Sequence, residues 1–493
     1  MGQITGQILA LCIASHHSGL IDCLSSNANS PGEDIFTRRM QKFDDRTHLQ
    51  EAKTNMDTLI AKRFRELANN PNLIDGLKES LRQVALRDFM KGVAPHQNSV
   101  TQFKTGLLVR LLFSCLIDAD RINTADFENP KAAATRLKGK YSEWDLLIDR
   151  LERRLQGMEV RYPIDEFRHR ISAQCRENAA RAKGIYTLTV PTGGGKTLAS
   201  LRFALHHVKK YGMDRVIYVI PFTSIIDQNA DVVRKILEPS GVERGSVVLE
   251  HHSNLTPEEQ TWRSKILSEN WDAPVIYTTN VQLLETLFGA GTRGARRMHQ
   301  LANAVLVFDE IQTLPINCIH LFCNAINFLV EHCGSTVVLC TATQPLLNRV
   351  EQSKGALRMT ADSEIMPDVA KLFADLKRVE VVNRRKPGGW ANEEIARLAG
   401  DEAAQSKSCL VIVNTKRSAQ ALFQLCRNET QIPVYHLSTS MCAAHRRERL
   451  GEIRKRLENA ERTLCISTQL IEAGVDIDFG AVIRFMAGVD YIA

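Results

Sequence analysis

The sequence predicts an α/β architecture in which two parallel-sheet domains follow an all-helical region. Three observations carry this. Short apolar runs without polar alternation recur through the last two-thirds of the chain, as strands buried on both faces of a parallel sheet require. Helical stretches separate these runs and leave room for crossovers. The first third instead carries apolar residues at three- and four-residue spacing.

In chain order, residues 1–158 read as helical, with LRQVALRDFMKG and KTGLLVRLLFSCLIDADR as the clearest stretches. Residues 159–380 form the first α/β domain, with strand candidates GIYTLTV, RVIYVIPF, PVIYTT, AVLVFDE and STVVLCTAT. The stretch NRRKPGGWANEE, residues 383–394, reads as a linker with a turn. Residues 381–493 form a second α/β domain, expected to be incomplete, with SCLVIVNT, IPVYHLS, RTLCIST and GAVIRFM as its strands.

Composition sets wider bounds. A length of 493 residues suggests three domains at roughly 150 residues each. A net charge of +7 is compatible with a nucleic-acid partner. The 12 cysteines include no C-x-x-C pair, and Cys318, Cys323, Cys333 and Cys340 lack zinc spacing, so they read as reduced thiols of a cytoplasmic protein. No run approaches the roughly 18 apolar residues of a membrane span. The stretch ILALCIA is short and no Lys or Arg precedes Arg38, which argues against a signal peptide. The start MGQITG has Gly6 where a myristoylation signal has Ser or Thr.

VPTGGGKTL, residues 190–198, lies between the strand candidate GIYTLTV and the helical stretch LASLRFALHHVKK, the context a phosphate loop needs. After Thr192, the residues Gly193, Gly194 and Gly195 let backbone N–H groups approach phosphate oxygens without Cβ clashes. Lys196 can neutralise outer phosphates, and Thr197 can place a hydroxyl on Mg²⁺. The strict pattern has Gly where this chain has Val190. VLVFDEIQ supplies the second half of such a site: Asp309 would hold Mg²⁺ through water, and Glu310 would orient or activate the attacking water.

Further strand ends carry hydroxyls and amides suited to sugar–phosphate contacts: Thr223 and Ser224, Thr279 and Gln282, and the group Thr341, Ala342 and Thr343. As an ordered set these segments resemble the motifs of superfamily 2 helicases, with VNTKRSAQ around Thr415 and STQLIEAGVDID at 467–478 continuing the resemblance. It implies two RecA-like domains with ATP between them. It also implies that Gly474 and Asp476 face the nucleotide, that Thr468 and Gln469 couple it to nucleic acid, and that Gln174 contacts the adenine.

Three adjacent histidine pairs stand in the chain: His16-His17, His206-His207 and His251-His252. A helical region with paired histidines before such a core resembles the helicase–nuclease of type I CRISPR systems, in which an HD-type nuclease precedes the helicase. VPTGGGKTLASLRFAL, DEIQTLP, TATQP, EHHSNL and STQLIEAGVDID carry this resemblance. His16 and His17 then look like ligands of a divalent transition metal. Helical periodicity leaves Asp118 and Asp120 both open as the carboxylate ligand, and the resemblance favours Asp120. His206-His207 reads as part of a helix, and His251-His252 as structural or near nucleic acid.

The chain departs from the family in three places. Gln312 stands where the family often has His. The family's earlier ligands, a lone His and an HD pair, have no counterpart in the 15 residues before His16, so the nuclease site is expected to be incomplete. The family's next motif carries arginines just beyond FMAGVDYIA, so weak hydrolysis and no unwinding are expected. The resulting expectation is a fragment of an ATP- and Mg²⁺-dependent translocase on single-stranded DNA, acting in antiviral defence with an RNA-guided multisubunit surveillance complex. Its rivals are another superfamily 2 helicase with a helical accessory domain that binds no metal, and an inactive remnant that docks on DNA or on the surveillance complex.

Overall fold

The structure, a computed structural model, describes residues 2–21, 35–42, 47–87, 98–133, 136, 139, 141, 143–242, 244–252, 267–471 and 477–486. The helices of the N-terminal region are α1 (Gly2–Ser15), α2 (Ile35–Met40), α3 (Leu49–Thr54), α4 (Thr58–Ala68), α5 (Pro71–Arg87), α6 (Ser99–Glu128), α7 (Pro130–Ala133), α8 (Trp144–Gln156) and α9 (Pro163–Asn178). The chain separates into two compact units, Met1–Pro221 with Asn229–Ala374, and Phe222–Gln228 with Asp375–Ala493.

In the first unit, the expected strands are β1 (Ile185–Thr189), β2 (Arg215–Ile220), β4 (Val275–Thr279), β5 (Ala304–Asp309) and β6 (Thr336–Thr341). A further short strand, β3 (Val248–His251), was not expected. All pair in parallel, in the order β1-β6-β5-β2-β4-β3. The residues of β1, β2, β4 and β6 are buried throughout, which explains why their sequences lack polar alternation. The register aligns the strand ends: Thr189 lies beside Thr341, Asp309 beside Cys340, and Ile220 beside Thr279. A parallel sheet brings the C-terminal ends of its strands to one edge, and ligands of open α/β sheets bind outside that edge.

The helical residues before 158 pack into this same unit rather than apart from it. Helix α6 is long and apolar enough to cross a membrane by length and composition. Its buried face, however, carries Lys104, Arg110 and Asp118 as well as Leu107, Phe113 and Ile117. Each of these charges has protein partners: Lys104 Nζ lies 2.9 Å from Glu331, Arg110 donates to the carbonyls of Thr286 and Gly289 at 3.0 and 2.8 Å, and Asp118 Oδ1 accepts from Arg296 at 2.7 Å. Buried charges persist only when paired, so α6 is a core helix of this unit. Helix α4, by contrast, buries none of its residues, and Leu59, Ile60, Phe64 and Leu67 are all exposed.

Among the described residues, the chain from Lys196 to Asp375 also carries α10 (Lys196–Tyr211), α11 (Thr223–Leu237), α12 (Asn280–Phe288), α13 (Thr292–Ala295), α14 (Ile319–His332) and α15 (Val369–Asp375). The second unit holds α16 (Asn392–Gln405), β7 (Ser408–Val413), α17 (Lys416–Glu429), β8 (Val434–Leu437), α18 (Ala443–Glu458), β9 (Thr463–Thr468) and β10 (Ala481–Arg484). Its strands pair in parallel in the order β10-β7-β9-β8. Each strand follows an apolar run expected from the sequence, and two apolar clusters cover the faces of this sheet. The expected linker is irregular up to Ala391, and α16 begins at Asn392.

Candidate active site

The phosphate loop runs from the end of β1 into α10. Gly193 and Gly195 have φ of +82° and +81°, the left-handed region that glycine enters without a Cβ penalty. At Gly194 the limit is space: a Cβ there would lie 2.4 Å from Val190 Cγ1. Val190, which replaces the expected first glycine, is fully buried and forms this floor. Lys196 and Thr197 open α10, and Thr197 Oγ1 donates to Asn229 Oδ1 at 3.2 Å. Thr192 is exposed.

The sheet register brings the acidic pair to the loop. Lys196 Nζ lies 2.8 Å from Glu310 Oε1. Burial opposes the Lys196 charge, yet the carboxylates of Glu310 and Asp309 outweigh it and hold the ammonium above its ordinary range. Burial pushes the Asp309 carboxyl up to about 6, against the pull of Lys196 and with the push of Glu310. Glu310 itself is held at φ +51°, in a left-handed turn that β5 feeds directly.

A second chain of bonds leads away from Glu310. Gln312 Nε2 donates to Glu310 Oε2 at 2.6 Å, and Thr341 Oγ1 donates to Gln312 Oε1 at 2.5 Å. Thr341 Oγ1 also accepts the N–H of Thr343 at 3.1 Å. Gln312 therefore spans Glu310 and the end of β6, its amide donating at one side and accepting at the other. Ala342 lies between these two threonines and is half-buried. Replacing Gln312 with Ala should slow ATP turnover about tenfold through loss of these hydrogen bonds, with little change in KM. Steady-state kinetics on the variant checks this; a raised KM at unchanged kcat would place Gln312 in binding instead.

The Asp309 carboxyl gives a pH signature. A carboxyl raised in the folded state stabilises the fold fully below its ordinary value near 4, and that contribution is lost as pH rises through about 6. Asp309→Asn cannot titrate there. From pH 4 to pH 7 the wild type should therefore lose stability relative to Asp309→Asn. Urea midpoints of both proteins across this range measure the difference, and a constant gap would show that the carboxyl titrates normally.

The expected nucleic-acid residues also stand at element ends. Thr223 opens α11, and Ser224 follows it. Thr279 caps α12, its Oγ1 accepting the N–H of Gln282 at 3.1 Å. The Gln282 side chain donates to Glu285 at 3.1 Å and accepts from Arg297 at 3.2 Å. In the second unit Thr415 caps α17 by accepting the N–H of Ser418, Thr468 ends β9, and Gln469 begins the turn after it. Gly474 and Asp476 lie outside the described residues. Gln174 lies on α9 and donates to Glu177 at 3.4 Å. The α9 side chain that bonds to the phosphate loop is Arg168, which the sequence reading missed.

The expected nuclease ligands lie on α6 and just after α1. His16 and His17 stand in the turn after α1 with ring centroids 3.7 Å apart, and His16 Nδ1 is engaged with the carbonyl of Ile13 at 2.6 Å. Asp120 is exposed on α6. Among the described residues, these three do not form a group whose ligand atoms all lie within 4.8 Å of one another. Asp118 is committed elsewhere: its carboxylate accepts from Arg296 at 2.7 Å and Asn270 at 3.2 Å, with His299 at 3.4 Å. Of the other histidine pairs, His207 is buried between the Ala179 carbonyl and Thr336, and burial lowers its pKa to about 4. His206 pairs with Glu152 at 2.9 Å. His251 packs edge-on to Trp271, and burial lowers its pKa to about 3.

Comparison with known proteins yields two family matches. Residues 170–352 match the DEAD/DEAH box helicase family, and residues 405–493 match the C-terminal family of the CRISPR-associated nuclease/helicase Cas3. The CRISPR-associated nuclease/helicase Cas3 of Haloferax volcanii is 26% identical over 298 residues, covering 52% of this chain and 31% of that relative. The protein of the same name from Methanothermobacter thermautotrophicus is 26% identical over 324 residues, covering 62% and 36%. The chain thus spans about a third of the length of these curated relatives. Among solved structures, T. fusca Cas3-ATP is similar at a TM-score of 0.61 and 15% identity, covering 99% of this chain and 58% of that one. That likeness bears on the fold alone: a helical region followed by two parallel-sheet domains.

Proposed function

We propose that this chain is a Cas3-type helicase, a reading its two matched segments support, and that it hydrolyses ATP to move along single-stranded DNA. The observation that supports this most is the contact of Lys196 with Glu310 at 2.8 Å, beside Asp309, at the edge where the phosphate loop leaves β1. Lys196 would meet the outer phosphates, and in doing so would exchange its bond to Glu310 for one to the ligand. Glu310, freed from that ammonium and still held by Gln312, would orient the attacking water and take its proton. Thr341 would report the state of Glu310 through Gln312 to the end of β6.

Oxygen donors on Thr197 and Asp309 suit Mg²⁺, which would neutralise charge on the phosphates when bound. Gly474 and Asp476 would complete the nucleotide contacts. Thr223, Ser224, Thr279, Gln282, Thr415, Thr468 and Gln469 would hold the DNA backbone by hydroxyl, amide and helix-terminus contacts, which position the strand without reading its sequence. An RNA-guided surveillance complex would supply that strand, in the cytoplasm, as part of antiviral defence. His16, His17 and Asp120 do not fit a three-ligand metal group among the described residues, so no nuclease step is derived through them.

ATP turnover measured with and without single-stranded DNA tests the reading. Stimulation by DNA is the expected result, and nucleotide-independent DNA binding with no turnover would favour a docking remnant.

A further inference from the structure

We propose that Arg168 is a positioning residue for the nucleotide, holding the phosphate loop in its binding shape through the carbonyl of Gly193. The inference deepens the ATPase reading above and rests on it. A phosphate loop turns its N–H groups toward the ligand, so its carbonyls face outward and require other partners. Three successive glycines make the need sharper, because they bring no side chains to restrain the loop and lose the most conformational freedom when it is fixed.

Arg168 meets that need from outside the loop. Its Nε donates to the Gly193 carbonyl at 3.0 Å, and its Nη1 donates to Asp165 Oδ1 at 3.0 Å. Asp165 is itself anchored at the start of α9, where its Oδ2 accepts the N–H groups of Tyr162 and Arg161 at 3.0 and 3.2 Å. The guanidinium is therefore fixed at both ends. The arginine stem closes over Gly195, two residues on: a Cβ there would lie 3.2 Å from Arg168 Cγ. One turn along α9, Ile171 Cδ1 lies 3.5 Å from the position a Gly194 Cβ would take. Helix α9 thus meets all three loop glycines, Gly193 by a hydrogen bond from Arg168, Gly195 by the Arg168 stem and Gly194 by packing of Ile171. The Arg168 side chain remains 42% exposed, so it adds little to the core and its removal should spare the fold.

The test is nucleotide titration and steady-state kinetics on Arg168→Ala and Arg168→Gln, with the wild type and Lys196→Ala alongside. The probe is ADP with Mg²⁺. Loss of one charge-assisted hydrogen bond at a partly exposed site should raise Kd roughly tenfold. KM for ATP should rise with it, while kcat at saturating ATP stays near wild type, since bound phosphates restore the loop. A purely structural role would instead lower the melting temperature of the nucleotide-free protein and leave this split unchanged. A Kd within about twofold of wild type in either folded variant, beside clear loss in Lys196→Ala, overturns the role of Arg168 alone. A wild type that binds no nucleotide overturns the ATPase reading itself. Should Arg168→Ala not fold, Arg168→Gln decides by the same criterion, because it keeps the stem and removes the charge and the fork.

Discussion

Lys196→Ala should cut ATP turnover about 10²–10³-fold, the loss typical of removing one preorganised donor from charge that develops in the transition state. Lys196 is placed for that role by two independent features. It stands at the first position of α10, directly after the three loop glycines, and its Nζ lies 2.8 Å from Glu310. In the variant the Glu310 and Asp309 carboxylates lose the cation between them, so nucleotide phosphates would meet two uncompensated negative groups. Affinity should therefore fall along with rate. Paired measurements settle it: turnover at saturating ATP, and titration with ADP. Turnover in Lys196→Ala equal to that of the wild type would sink the assignment of the site.

Asp118→Ala should destabilise the first unit by about 3–5 kcal/mol, the cost of stripping one partner from a buried ion pair. Arg296 is the group left behind, 4% exposed at its side chain and 2.7 Å from Asp118. Burial alone would raise the Asp118 carboxyl, but hydrogen bonds from His299, Arg296 and Asn270 outweigh it and hold the group below its ordinary range. The stability it confers is present above the ordinary carboxylate value and is lost as pH falls through the lower folded value. The urea midpoint of the variant at neutral pH gives the cost, and the double variant Asp118→Ala/Arg296→Met should recover part of it. A loss below about 1 kcal/mol would mean that Glu269, 2.8 Å from the other side of the guanidinium, suffices for Arg296.

The sheets were legible in the sequence because burial on both faces leaves a plain record: RVIYVI and TVVLCT carry no polar alternation to misread. The strand β3 was not, because VLEH is short and half polar, and its pairing with β4 decides what local pattern cannot. The phosphate loop and the DE pair were readable from local context alone. Gln312 was noted as a departure, yet its bond to Thr341 depends on β5 and β6 lying side by side. Gln174 was chosen from α9 on resemblance. It sits six residues beyond Arg168, about 9 Å further along the helix axis, away from the turn that meets the loop. Asp118 and Asp120 could not be told apart on α6, since the partners that occupy Asp118 are Asn270, Arg296 and His299, distant in sequence.

The order of strands in the first sheet also sets a timetable. Ile185 of β1 takes Val337 of β6 as its neighbour. At ~5–20 residues per second, the roughly 150 residues between them occupy the ribosome for on the order of ten to thirty seconds. During that time β1, whose residues end up fully inside, has no place to pair, while β2, β3, β4 and β5 can already assemble in sequence. The nascent chain thus carries its phosphate loop on an unpaired apolar strand until β6 emerges. The candidate nucleotide site is therefore the last part of this sheet to be completed.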